Sequence, residues 1–422
     1  ANNLDDAGFD IVIGNPPYVN VEKIGLEIKS NKDNFETAYK KYDLYVLFYE
    51  KSLYLLKKGG VLSFITSNKF FSQEYGLILR QILLRNTINT IINFNYDIFK
   101  NATVRTCILN LVKNNPTDNH LIRLIDINTK KDSDKFINKE YDIIPQKVFG
   151  TTEYNNFRIN LTEQKMSILN KIDDNSVRLE QICSVNYGLR PSSEVLGLKK
   201  ESFISKDKKE GYKTYFEGKD MGYWKVLNYS FLDYQPKVMY NPMFEELFDT
   251  PKLVGLRTLS DIGKLRFIYD NRGYYCNDSV VVVTLWHLFK NVDNSTIKRN
   301  ISNDKVLLSK EFDYKYLQGI LNSKLIKFYV NELFYDGTHF YPNHMKALPI
   351  KRINKEQQKQ LIFIVNQLHS ELEDNIKSDV TAMENQIDIL VYKHYNLTYE
   401  EAKVIDPEIE NIISQQEYKT KK

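Results

Sequence analysis

An apolar run, Phe9-Asp10-Ile11-Val12-Ile13-Gly14, stops at Asn15-Pro16-Pro17-Tyr18, and that junction constrains the fold more than any other feature of the chain. The run reads as a buried strand of the kind found in a sheet covered on both faces. Two prolines in series cannot continue it, because each fixes φ at about −65° and lacks an N–H donor. The strand must end there, with Asn15 at its tip. Such a tip offers two carbonyl oxygens, one from the Asn15 side chain and one from the main chain at Asn15-Pro16, beside the flat face of Tyr18. Asn115-Pro116 and Asn241-Pro242 lack the second proline and read as turns.

Those groups suit methyl transfer onto a planar amino nitrogen. The lone pair of adenine's amino group is delocalised into the ring, and acceptors that grip its hydrogens draw it out of conjugation. A base must leave its duplex to reach such a tip, and stacking on an aromatic offsets about 1–3 kcal/mol of that cost. The surroundings predict an α/β fold. Residues 42–58 carry Leu44, Leu47, Phe48, Leu55 and Leu56 at helical spacing, and Gly59-Gly60 reads as a C-terminal stop. Strands follow at 61–66, 88–94 and 104–112, with a helix at 75–86. Strands alternating with helices predict a parallel sheet covered on both faces, with ligands beyond the carboxyl ends of the strands. Asn15 and Asn68 fall at such ends.

From these motifs, residues 9–113 resemble the second half of the catalytic domain of N6-adenine DNA methyltransferases, in particular the type IIG restriction-modification group with a TaqI-like C-terminal specificity domain. Gly14-Asn15-Pro16-Pro17-Tyr18 matches that family's catalytic loop, and residues 59–70 match more loosely. The resemblance implies the second half of a Rossmann-like methyltransferase sheet, with Asn15, Pro16, Pro17 and Tyr18 catalytic. It also implies that Phe99, in Asp97-Ile98-Phe99-Lys100-Asn101-Ala102-Thr103-Val104-Arg105-Thr106, stacks on the target base opposite Tyr18. It implies S-adenosylmethionine as cofactor and double-stranded DNA as partner. One departure stands out: the family's Phe-x-Gly-x-Gly cofactor turn is missing, for the chain contains no Gly-x-Gly. The expectation is therefore a carboxyl-terminal part of a longer enzyme, inactive and poor at binding cofactor alone, with the cofactor's main site in a missing N-terminal half or a partner subunit.

The remaining sequence divides by pattern. Residues 1–115 read as a partial catalytic domain and 116–175 as a connector with one strand at 121–127 and a helix near 163–172. Residues 176–350 read as a mixed β-rich target recognition domain, with strands at 215–218, 226–232, 252–256, 266–269 and 280–285, and residues 351–422 as a helical region. Further helices are predicted at 314–333, 356–376 and 381–395. Three stretches resemble recurring segments of target recognition domains: Val185 to Arg190, Phe216 to Asp220 and Tyr316 to Ser323. Basic side chains that interrupt the strands, Arg190, Lys219, Arg257 and Arg272, are the candidate DNA contacts. Lys199, Lys200, Lys206, Lys208 and Lys209 form a cluster that suits phosphates or simply water.

Composition narrows the class. A net charge of +4 is too small for a dedicated nonspecific nucleic-acid binder, so phosphate contacts would be local. Cys107, Cys183 and Cys276 lack paired spacing, which predicts reduced thiols, a cytoplasmic location and no zinc site. His339 and His344 have no third ligand at metal spacing. None of the 11 prolines precedes Asp, so a Pro-Asp nuclease motif is absent and any nuclease domain would lie upstream. Two rival readings stay open: a protein or RNA methyltransferase using the same loop, and a non-catalytic DNA-binding protein.

Overall fold

The computed structural model describes residues 7–23, 34–96, 98–99, 105–127, 129–133, 141–151, 155–159, 161–334 and 340–420. The chain forms two compact units, residues 1–166 and 167–422.

The first unit is built on a six-stranded sheet in the order β1-β2-β4-β3-β5-β6. Its strands are β1 (Phe9–Gly14), β2 (Leu56–Ser67), β3 (Thr87–Phe94), β4 (Thr106–Val112), β5 (Leu121–Ile127) and β6 (Asp142–Pro145). β1 pairs with β2 in parallel and β3 with β5 in parallel, whereas β4 runs antiparallel to both β2 and β3, and β6 antiparallel to β5. The sheet is mixed, which corrects the all-parallel expectation. Residues 95–105 are too few for a crossover helix, and a parallel return needs a dozen residues or more, so β4 comes back antiparallel. Four strands, β1, β2, β3 and β5, still share one direction, and their carboxyl ends lie along a single edge. β5, expected in a connector, is part of this sheet.

Further expectations change here. β1 is exposed, with Phe9, Ile11 and Ile13 at 59%, 65% and 79%. It lies at the sheet's rim with β2 as its partner among the described residues. The helix α1 (Tyr45–Leu55) buries Tyr45, Val46, Leu47, Tyr49 and Leu53, while Phe48 and Leu55 stay partly in solvent. Gly59 and Gly60 do not cap it. They lie inside β2, where the register against β1 shifts between Phe9 and Ile11. Gly59 has φ +79°, and a Cβ on Gly60 would stand 2.9 Å from the Phe9 carbonyl oxygen. A shorter helix than expected, α2 (Leu77–Leu84), follows.

In the second unit, β7 (Ser176–Arg178) pairs with the distant β16 (Pro349–Lys351), so the two ends of the 176–350 segment meet. Arg178 fastens this junction by donating to Asp173, Tyr329 and the Ala347 carbonyl at 2.9–3.0 Å. Between these ends lie two four-stranded sheets. One contains β8 (Cys183–Tyr187), β12 (Lys252–Leu256), β13 (Phe267–Asp270) and β15 (Val280–Leu285), in the order β13-β12-β15-β8. The other contains β9 (Ile204–Ser205), β10 (Lys213–Phe216), β11 (Ser230–Leu232) and β14 (Tyr275–Cys276). The helix expected at 314–333 is two helices, α3 (Tyr314–Asn322) and α4 (Lys324–Leu333). Ser323 breaks them, extended at ψ 155° with its hydroxyl accepting from Ile326 N. α5 (Lys355–Asp374) and α6 (Thr381–His394) complete the region. Among the described residues no helix is long and apolar enough to cross a membrane.

Candidate functional site

At the carboxyl edge of the first sheet, β1 delivers Asn15 to the surface, Pro16 is buried, Pro17 is exposed and Tyr18 is half-buried. The proline pair thus splits its work: Pro16 anchors the loop while Asn15 stays exposed. Tyr18 donates its hydroxyl to the Ile65 carbonyl of β2 at 3.0 Å, which fixes the ring's tilt. Burial, with a smaller contribution from Cys107, pushes its phenol up to about 12, so it stays neutral at ordinary pH.

A chain of aromatic and polar contacts supports the loop from behind. Tyr45 of α1, fully buried, meets the Tyr18 ring edge-on at 6.3 Å. Its hydroxyl lies 2.8 Å from that of Tyr75, which donates to Asp43 at 3.1 Å. Asn20 donates to the other oxygen of Asp43 at 3.2 Å, and Val21 N and Leu44 N close two backbone bonds across the same junction. The segment after the proline pair is thereby tied to the start of α1.

Phe99 lies 6.3 Å from Tyr18 with an interplanar angle of 64°. The structure therefore brings the two rings together, as the resemblance implied, but edge to face. A base held between them needs the rings parallel and about twice a stacking distance apart, so one ring must turn to admit it. Of that segment, Asp97 and residues 100–104 lie outside the described residues. Sequence reading singled out Asn68 but missed the network it joins. Asn68 donates to Asn93 at 2.8 Å, and both Asn93 and Asn95 donate to Asp126 at 2.8 and 2.9 Å, linking the ends of β2, β3 and β5. Asn93 is only 3% exposed, and three amide side chains at strand ends were the available signal.

Three of the four candidate DNA contacts converge in the second unit. Asp278, in the turn before β15, accepts from Arg190 Nε at 2.7 Å and lies 3.8 Å from Arg257. The Arg257 guanidinium sits 5.1 Å from the centre of the Tyr187 ring. Lys219 and Lys200 flank Glu217 at 3.2 and 2.7 Å and hold its carboxyl below the usual range against the effect of burial. Gly218 N donates to Ser279 at 2.9 Å, which joins the two groups. The glycines of the first two recurring stretches have physical reasons. A Cβ on Gly188 would lie 2.2 Å from the Asn277 carbonyl oxygen, and one on Gly218 would lie 2.9 Å from Ser279 Oγ. Both stretches pack on the 277–279 turn. The third motif is a clamp: Gln318 and Asn322 bind the main chain of Phe267 at the edge of the sheet, at 2.6–3.1 Å.

Arg272 is not part of this cluster. It follows β13, which pairs antiparallel with β12, so it lies at the opposite end of the sheet from Arg257. There it lines a cavity of about 490 Å³ with Lys225, Tyr229, Tyr269, Tyr274 and Lys315. His344 stacks on Phe334 at 5.2 Å. His339 lies outside the described residues, and no group of His, Cys, Asp and Glu suited to a metal occurs among the described ones.

Residues 1–99 match the Eco57I restriction-modification methylase family, and residues 213–350 match the TaqI-like C-terminal specificity domain. The type II restriction enzyme and methyltransferase RM.Eco57I of Escherichia coli is 36% identical over 119 residues, 27% of this chain and 12% of that protein. A Methanocaldococcus jannaschii protein named for the type II restriction enzymes and methyltransferases, RM.MjaORFECS2P, is 27% identical over 440 residues, 99% of this chain and 34% of that protein. The chain thus spans about a third or less of these relatives. Among solved structures, the type IIL restriction-modification enzyme MmeI in complex with DNA aligns with a TM-score of 0.51 at 11% identity, covering 97% of this chain and 56% of that one, a likeness of fold.

Proposed function

We propose, from the premise that this chain belongs by its two matched segments to the restriction-modification methylases with a TaqI-like C-terminal specificity domain, that it carries the acceptor side of a site-specific adenine-N6 DNA methyltransferase. The observation that carries the reading is exposed Asn15 at a sheet's carboxyl edge, on the loop whose Tyr18 ring meets Phe99. An adenine extruded from its duplex stacks between Tyr18 and Phe99 once one ring turns to admit it, and the Asn15 side chain and the main chain at Pro16 accept its amino hydrogens. Tyr18, neutral and tied to Ile65, acts as a platform and not as a base. Positioning supplies most of the rate, because the amino proton becomes acidic only as the new bond forms.

Methyltransferases of this kind take their methyl group from S-adenosylmethionine. The residues present do not fit that group by themselves, since the chain has no Gly-x-Gly to admit a nucleoside against the backbone. Its binding would fall to residues of a longer protein or a partner subunit. Sequence choice is assigned to residues 176–350, with Arg190, Arg257 and Lys219 facing double-stranded DNA. The non-catalytic alternative is favoured by the missing glycine turn alone.

Asn15→Ala in the complete enzyme tests the reading. Methylation measured with tritiated donor should be abolished while a gel shift shows DNA still bound. Retention of more than a tenth of the wild-type turnover would remove Asn15 from the acceptor role.

A further inference from the structure

Between Arg190 and Lys199 the second unit holds up a short apolar tip. Val195 is 86% exposed, Leu196 51% and Leu198 38%, and Val195 shows the greatest fractional exposure of any large hydrophobic side chain among the described residues. Single exposed aliphatics are ordinary on a surface, but three within four residues at the end of a turn are not.

The tip is rigid. Ser193 and Leu198 exchange two backbone bonds at 2.9 Å, Gly197 N donates to the Glu194 carbonyl at 3.2 Å, and Leu196 N donates to the buried Ser193 hydroxyl at 3.2 Å. Gly197 takes φ +64°, which lets the turn close in so few residues. Its base is bolted down as well: Arg190 N donates to the Asn241 carbonyl at 2.8 Å and Tyr240 N to that of Ser192 at 2.7 Å. A surface loop with no task could tuck its leucines in or lose them; this one is held open.

Its surroundings name the occupant. Arg190, which binds Asp278, leads into the turn, and Lys199 and Lys200 lead out of it, with Lys200 and Lys219 both pairing with Glu217. Apolar side chains flanked by cations match duplex DNA, whose phosphates bracket an apolar stack. Proteins that insert Leu or similar side chains between base pairs unstack that step and kink the duplex. Glu194 in the same turn is exposed and opposes phosphate, so the fit rests on the flanking cations.

We propose that the Ser193–Leu198 turn is a wedge, with Val195 and Leu196 entering the stack between adjacent base pairs of the DNA that the second unit reads. The inference rests on the reading of this unit as a DNA recognition domain. A wedge adds to sequence choice without touching a base edge, because the cost of unstacking depends on the step opened.

The test uses the 422-residue chain. Duplexes are first selected from a random-sequence library, and the enriched sequence is then scanned with 2-aminopurine at each position. The expected result is a several-fold rise in fluorescence at one step, lost in Val195→Ser/Leu196→Ser, while the salt dependence of binding and the melting temperature stay as in the parent. Glu194→Gln should tighten binding and keep the signal. An enriched sequence with no fluorescent step, or a signal that survives the double substitution, overturns the wedge and leaves the recognition reading intact. No enrichment at all overturns both.

Discussion

Asp278 holds two of the candidate DNA-contact arginines, and Asp278→Asn releases Arg190 and loosens Arg257 with little change of shape. The cost to folding is small. Arg190 is half exposed, and the Asp278 and Arg257 side chains are 28% and 30% exposed, so the pairs are screened and together contribute about 0–1 kcal/mol. Arg190, bound through Nε at 2.7 Å, is freed. Arg257 is not wholly so, since its Nη1 also reaches the Asp278 main-chain oxygen at 3.4 Å and its plane rests on Tyr187. Each arginine that gains a phosphate steepens the dependence of log K on log salt by about 0.9. One freed arginine therefore adds about a three- to four-fold loss of affinity over a four-fold rise in salt. Fluorescence anisotropy of a labelled duplex, titrated with parent and variant at several salt concentrations, reads this directly. The variant should bind arbitrary duplexes more tightly at low salt, with the slope steeper by about one unit. An unchanged slope, or weaker binding at low salt, would mean that the cluster does not face DNA.

Tyr18→Phe in the complete enzyme should keep methylation and cost about 1 kcal/mol of stability from the lost bond to Ile65, whereas Tyr18→Ala should weaken binding of the extruded base by about 1–3 kcal/mol; equal activity losses in the two would refute stacking. Lys252 and Asp270 form a buried ion pair, their side chains 0% and 3% exposed. Lys252→Met should destabilise the second unit in urea unfolding by about 3–5 kcal/mol, nearer the lower figure because Arg272 N and Tyr274 N still satisfy Asp270; Asp270→Asn added on top should recover part of the loss. Asp388 is fully buried, and desolvation pushes its carboxyl up to about 7. A pKa raised on folding means that the neutral acid is favoured in the native state, so stability present at low pH is lost as pH rises from about 4 through about 7. Asp388→Asn should flatten that decline in thermal unfolding followed from pH 4 to 8; an unchanged slope would contradict it.

What could be read from sequence depended on whether the cause was local. The end of β1 was legible because two prolines admit few backbones, and β12 and β15 because short, largely apolar runs between turns, Leu253, Val254 and Leu256 in one and Val280 to Val283 with Leu285 in the other, have few other uses. The direction of β4 was legible in principle, from the short interval after β3, but alternation alone hid it. Gly59 and Gly60 misled because a positive φ serves a bulge inside a strand as well as a helix cap. The break at Ser323 was invisible to periodicity, since both flanking helices carry the same apolar spacing and only the capping hydroxyl parts them. In the candidate sites, the loop residues announced themselves by type, whereas Asp278 did not. A lone acid in a turn gains meaning only when folding sets Arg190 and Arg257, 67 residues apart in sequence, around it. Arg272 lies apart from that cluster for the same reason in reverse: sequence proximity to a strand says nothing about which end of the sheet it occupies.

The exposed flank of β1 bears on how the polypeptide behaves in a test tube. Phe9, Ile11 and Ile13 present a row of apolar side chains on a rim strand hydrogen-bonded along one side among the described residues, and Asp10, paired with Lys57, is the acid within that strand. An apolar rim with so little charge is a template for another strand. Handled by itself at rising concentration, the polypeptide should pass from monomer to edge-joined oligomer and then to precipitate, and a lysine at Ile13 should delay that passage. Colloidal fate would then hang on three side chains.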